Sequence, residues 1–244
     1  MYQQDGRAIL GHKPGKISTA IKNEISRGLF ASYPVHYYSR FIKVLQQLLP
    51  FCSVFRIFPS TECACRAVGE ILGKEAFAED IQDPLLSHAD DDTYADNNPQ
   101  MYLWRPFCSC NVTDADAIFP ILPFPAKWGV VVVGFPRLNE KDVPKYFKKP
   151  VSPLVSPIAL IGLEKAANML KSILEEDTPE WENFSSDLWT QVGPYLIPNC
   201  SEDVYYQMYE NLLKKDILIS PDYPGPSIIP MEYTNGEIKA FRQQ

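Results

Sequence analysis

The sequence has no run of about eighteen apolar residues, and so lacks the signature of a membrane-spanning helix. Nor is positive charge in excess. Its 23 Lys and Arg face 30 Asp and Glu, for a net charge of -7 and an isoelectric point near 5.1. That balance argues against nucleic acid or an anionic membrane surface as the main partner. The opening decapeptide MYQQDGRAIL has no signal-peptide pattern, so a cytoplasmic setting is expected. Histidine is scarce: His12, His36 and His88 are scattered, and no Ser/His/Asp or Cys/His constellation emerges.

Cysteine is present as Cys52, Cys63, Cys65, Cys108, Cys110 and Cys200, but never as C-x-x-C. The two C-x-C pairs have no histidine nearby, which leaves zinc and buried reduced thiols as the two readings. Cys63 and Cys65 also fall in a helical pattern, where residues two apart point to different faces. The acidic stretch LLSHADDDTYADNNPQ carries four aspartates between Asp90 and Asp96. It lacks the Gly and terminal Glu of a calcium loop, and a solvated connector is the plainer reading.

What is present is a chain of 244 residues, 45% of them hydrophobic, enough for one large domain or two small ones. Ile17, Ile21 and Ile25 share a helical face, with Ser18 a candidate N-cap and Gly28 a candidate stop. A second helix carries Tyr38, Phe41, Ile42, Leu45, Leu48 and Leu49 and ends at Pro50. In FRIFPSTECACRAVGEI, from Phe55 to Ile71, an apolar run meets a small hydroxyl turn and then a helix pattern. Such a strand–turn–helix can hold a phosphate on the free N–H groups of the helix. MYLWRPF reads as a strand, and Val130 to Val133 read as a buried strand of a parallel sheet. The prolines of FPILPFP point to an edge strand or extended segment. Ser156 and Pro157 make an N-cap and N1 pair for a helix carrying Leu160, Leu163, Ala167, Leu170 and Leu174. The C-terminal part combines a helix (Tyr205, Met208, Tyr209, Leu212, Leu213) with short strands at Tyr195–Ile197 and Ile217–Ile219.

Several of these segments resemble class III pyridoxal-phosphate (PLP) aminotransferases, the group that includes glutamate-1-semialdehyde aminomutase. GHKPGKISTAIKNEISRGLF is similar to that family's N-terminal turn and helix. FRIFPSTECACRAVGEI is similar to its strand–turn–helix, whose turn reads Ser-Gly-Ser/Thr-Glu-Ala. Thr61 and Glu62 match the Thr and Glu, while Ser60 stands in place of Gly and Cys63 in place of Ala. VSPLVSPIALIGLEKA resembles the Thr-Phe-x-Gly-Asn-Pro segment and the helix after it, with Pro157 matching the Pro. The C-terminal LLKKDILISPDYPGPSIIPMEYTNGEIKAF resembles the closing segment.

The resemblance implies an α/β fold: a shortened type I PLP-transferase-like large domain plus an α+β small domain formed by the chain ends. The expected organisation is an N-terminal helical segment at 1–50 joining the small domain, a reduced large domain at 51–155 and a C-terminal α+β domain at 156–244. It implies cofactor-phosphate contacts at Ser60, Thr61 and Ser152, the last reaching across to a partner subunit. The alternative for Thr61 is a plain N-cap. The resemblance also implies features that are missing. No aromatic residue or Asp is placed to stack on the ring or hold its nitrogen protonated. If Gly134 matches the family's glycine after the apolar strand, the Schiff-base lysine belongs near Leu122 or Pro123, which carry no amine. Lys127, in FPAKWG, is the nearby substitute. The expectation is therefore a homodimeric binding or scaffold protein that does not use PLP. Its rivals are an enzyme using Lys127 and a partner subunit of a full-length paralogous aminotransferase. Arg56, Arg66 and Arg105 are the arginines available for a substrate carboxylate, with salt bridges the plainer role.

Overall fold

The computed structural model describes residues 6–11, 14–28, 36–86, 99–109, 112–139, 155–176 and 179–229, with 141, 143, 231, 233, 236, 239 and 241. Helices α1 (Gly15–Arg27) and α2 (His36–Leu48) come first, then strand β1 (Val54–Phe58) and helix α3 (Thr61–Leu72). Strands β2 (Ile81–Gln82), β3 (Met101–Trp104), β4 (Ala117–Pro120) and β5 (Val131–Phe135) follow, and then the long helix α4 (Pro157–Glu176). The C-terminal unit holds β6 (Trp189–Val192), β7 (Tyr195–Pro198), α5 (Glu202–Leu213) and β8 (Ser227–Ile228).

The larger sheet runs β1-β5-β4-β3-β2. β2, β3 and β4 are parallel, while β5 is antiparallel to both β1 and β4. Period-two alternation sorts its side chains onto two faces. Phe55, Ile57, Ile118 and Val132 join the core under α1, α2 and α4. Val54, Phe58, Ala117, Phe119, Val133 and Phe135 join the core under α3. Gly134 lies where a Cβ would stand 2.8 Å from the Cys52 sulfur, so only glycine fits against that helix-side residue.

Several sequence expectations are corrected. β5 is buried as expected, but it lies in a mixed sheet and runs against both neighbours. β4 is an interior strand rather than an edge, because Pro120 occupies its last position and Pro123 and Pro125 fall beyond it. The ladder continues past the proline, with the Ile121 N–H donating to the Trp104 carbonyl at 2.8 Å. Ser18 lies inside α1, whose N-cap is Pro14, while Gly28 does end it, at φ 130°. Ile217–Ile219 form no strand. Asp216 takes a left-handed φ of 60°, and the Ile217 N–H bonds back to the Leu212 carbonyl, closing α5. The Ser220 N–H is then met by the Ser227 hydroxyl at 2.9 Å instead of by a ladder partner. The sheet is covered on both faces within the single chain, and β1 and β4 are buried along their whole length.

A buried ion pair at the end of this sheet packs against the C-terminal unit. Arg105, just past β3, donates Nη2 and Nε to the Asp83 carboxylate at 2.6 Å and 2.9 Å. Its guanidinium lies over the Tyr195 ring of β7, 5.3 Å from the centroid. Gly6 packs on the same ring: a Cβ there would stand 2.8 Å from Tyr195 Cε1. Breaking such a pair from one side leaves a buried charge behind. Asp83→Ala is expected to cost about 3–5 kcal/mol, and Asp83→Ala with Arg105→Met to recover much of the loss. Thermal melts of the three proteins test this, and an unchanged melting temperature in the single variant would refute it.

Candidate functional site

Because β5 alone is reversed, the C-terminal ends of β1, β3 and β4 share one edge of the sheet with the start of β5. Ligands of open α/β sheets bind at this kind of edge. The register Phe58↔Val131 carries the Pro59-Ser60-Thr61 turn alongside the turn that holds Lys127. A Cβ on Gly129 would lie 3.4 Å from the Pro59 carbonyl, so the two turns touch. Two stretches singled out in the sequence are thereby neighbours.

The phosphate-clasp candidate is closed by its own side chains. Ser60, not Thr61, is the N-cap of α3, and Thr61 is the first helical residue. Ser60 sits in extended backbone, at φ -153° and ψ 165°, where a serine fits in place of glycine without strain. Its hydroxyl oxygen accepts from the Cys63 N–H at 3.2 Å. The Glu62 carboxylate accepts from the Ser60 hydroxyl and from its own backbone N–H, and these bonds hold it below its ordinary pKa. The donors and dipole that would attract a phosphate thus already face an anion.

The segment where the sequence resemblance would put a lysine is closed as well. Leu122 is 1% exposed, Pro123 is buried, and Leu122 packs in the core beneath α4. Phe124 is wedged onto Gly162 of α4, where a Cβ would stand 2.3 Å from the ring. The cavity at this edge measures about 70 Å³, with Thr61, Leu103, Phe119, Leu122, Val131 and Arg7 among its walls. Binding pockets for small molecules and cofactors run to roughly 300–1,000 Å³. A leucine-filled, self-capped edge of this size is smaller than such pockets.

A larger cavity of about 620 Å³ opens on the other side of the β4–β5 loop. Its walls come from residues 7–11, from α1 and from Pro123–Trp128. Lys127 is exposed and is not one of the residues lining either cavity. Ser152 and the aspartates at 90–96 lie outside the described residues. Of the arginines, Arg105 is bound to Asp83, Arg56 donates to the Phe55 carbonyl at 2.7 Å, and Arg66 is exposed on α3. Arg7, which borders both cavities, was not singled out from the sequence. No periodicity or motif marks it, and only the fold brings residues 6–11 to this place.

Among the described residues, no group of His, Cys, Asp and Glu is placed to hold a metal ion. Burial pushes the Cys52 thiol up to about 12 and Cys65 up to about 11, far from thiolate chemistry near neutrality. No described helix is long and apolar enough to cross a membrane.

No protein-family model matches the chain. An uncharacterized protein of Borreliella burgdorferi is 22% identical over 246 residues, covering 100% of this chain and 81% of that protein. Among solved structures, an omega-transaminase from Sphaerobacter thermophilus is similar at a TM-score of 0.60 and 12% identity, across 97% of this chain and 83% of that one. A glutamate-1-semialdehyde aminomutase from Pseudomonas aeruginosa, in complex with PMP, is similar at 0.57 and 9% identity, across 98% and 80%. At these identities the likeness is one of fold, and the fold is that of class III aminotransferases.

The self-capped turn makes a measurable prediction. Ser60→Ala is expected to lower stability by about 1 kcal/mol and to move the Glu62 pKa back up toward its ordinary 4.5. Because the folded value is depressed, the Glu62 contribution is complete above pH 4.5 and is lost as pH falls through the folded value. Carboxyl NMR titration of the parent and variant reads both effects, and an unmoved Glu62 would break the assignment.

Proposed function

We propose that this chain, built on the fold of class III aminotransferases, is a non-catalytic binding protein that has lost PLP chemistry. The observation that carries this reading is Leu122. Leu122 is buried, with Phe124 and Gly162 locking the segment in position, and this is where the sequence resemblance would put the family's lysine if Gly134 matches the family's glycine. Without an amine there is no covalent attachment of the cofactor carbonyl. The self-capped helix at Ser60 and the small volume at the sheet edge support the same conclusion.

The rival enzyme reading has one observation in its favour, that Lys127 belongs to the loop bordering the 620 Å³ cavity. Mixing the purified chain with PLP, recording the absorption spectrum, reducing with borohydride and weighing the intact protein decides between them. The expected result is no imine band and no specific adduct, identical for Lys127→Ala. A single adduct confined to Lys127, with amino-acid turnover abolished by Lys127→Ala, would overturn the proposal.

Self-association into a homodimer is the second part of the proposal. An uncovered sheet does not support it, since one chain covers its own strands. Support comes instead from apolar side chains left outside, Tyr206 and Leu213 on one face of α5 and Ile25 on α1. Light scattering of the isolated chain is expected to give twice its 27.7 kDa mass. A one-chain mass would remove the homodimer and leave a paralogous partner subunit as the remaining form.

A further inference from the structure

The cavity of about 620 Å³ beside α1 falls in the size range of sites that hold small organic molecules, and nothing assigned so far uses it. Its inner wall is apolar. Ile17 and Phe124 are buried there, with Leu10 and Ile21 packed against the same core. Phe124 is held on two sides. A Cβ on Gly162 would stand 2.3 Å from its ring, and Trp128 meets it edge-on at 5.3 Å and 79°. At the mouth, Trp128 and Leu218 are 45% and 40% exposed, so the apolar lining continues out to solvent.

The described wall has little left to offer a polar ligand. Pro14, Pro123 and Pro125 have no N–H to donate. The backbone N–H groups beside them are spent within the chain. Gly11 donates to the Ala8 carbonyl at 2.9 Å, and Ile17 and Ser18 donate to the Pro14 carbonyl at 3.0 and 3.1 Å. Phe124 donates to the Leu122 carbonyl at 2.7 Å, and Trp128 to the Pro125 carbonyl at 3.2 Å. Arg7 has a partner of its own in the chain. Lys22 is exposed on α1, where water and salt screen its charge. A charged group entering this cavity would give up its water without gaining a donor in return, which is costly. Aromatic rings lose no hydrogen bonds there, and the edges and faces of Phe124 and Trp128 offer them favourable packing.

We infer that this cavity binds a small, neutral, apolar molecule with aromatic rings, packed between α1 and the Phe124–Trp128 wall. The inference rests on the binding-protein proposal and names the class of its ligand. The two fail separately: a borohydride adduct on Lys127 strikes the proposal, whereas the titrations that test the ligand class contain no PLP.

N-phenyl-1-naphthylamine and 8-anilinonaphthalene-1-sulfonate share one ring system and differ by a single negative charge. Fluorescence titration of the full chain with each is the test. The neutral probe is expected to bind one-to-one, with the sulfonate weaker by roughly tenfold or more. Ser18→Trp, at an exposed α1 position lining the cavity, is expected to block the neutral probe while circular dichroism stays native. Trp128→Ala is expected to weaken it by about tenfold, and keeps the test decisive if Ser18→Trp fails to fold. Ile25→Ala changes an exposed apolar side chain of the same helix outside the cavity lining, and is expected to leave binding as it was. No binding of the neutral probe, equal or tighter binding of the sulfonate, full binding by Ser18→Trp or Trp128→Ala, or loss of binding in Ile25→Ala would each overturn the inference.

Discussion

The pairing of β5 against β1 on one side and β4 on the other is the constraint on which the rest of the molecule depends. A strand running backwards between two forward strands must begin where they end. Its entry loop is therefore pressed against the turn that starts α3. The sheet edge where a ligand would sit is thus built from two turns far apart in sequence, Pro59–Thr61 and Pro123–Gly129. Whatever fills one turn limits the other.

Both turns are filled from within the chain. At the first, a serine cap and a glutamate meet the N-terminal donors of α3. At the second, Leu122 and Phe124 turn into the helical layer, and Gly162 makes room for the ring. A cavity of about 620 Å³ lies on the far side of the loop, beside α1 and residues 7–11. The fold is shared with aminotransferases of known structure, and the larger of the two cavities described lies beside α1 and not at the sheet edge.

The elements whose apolar spacing is set by one packed face were legible in the sequence. α2, α3, α4 and α5 were read from Phe41/Leu45, Ala64/Val68, Leu160/Leu163/Ala167 and Tyr205/Met208/Leu212, and β3 and β5 from their apolar runs. Strand direction was not legible, because Val131–Phe135 looks equally buried in a parallel or antiparallel neighbourhood. The prolines near β4 misled, since a proline at the last residue of a strand costs no interior ladder bond. Ile217–Ile219 had strand composition, but a left-handed residue at Asp216 and a serine side chain took over its hydrogen bonding. At the site, Ser60 and Thr61 were found as a pair, but the capping role offered for Thr61 belongs to Ser60, a difference of one residue that only backbone dihedrals resolve. Arg7 carries no local signal at all.

Glu62 gives the α3 turn the character of a receptor with its ligand permanently attached. An anion arriving from solution would meet donors already occupied by a group that lost its translational freedom when the chain was synthesised. Free anions must outcompete an effective concentration set by one side chain's reach, of millimolar order or higher for short tethers. This form of occupancy is also reversible. Protonation neutralises the tethered carboxylate, while the Cys63 N–H stays with the Ser60 hydroxyl, so acid removes the charge from this turn but leaves its cap in place.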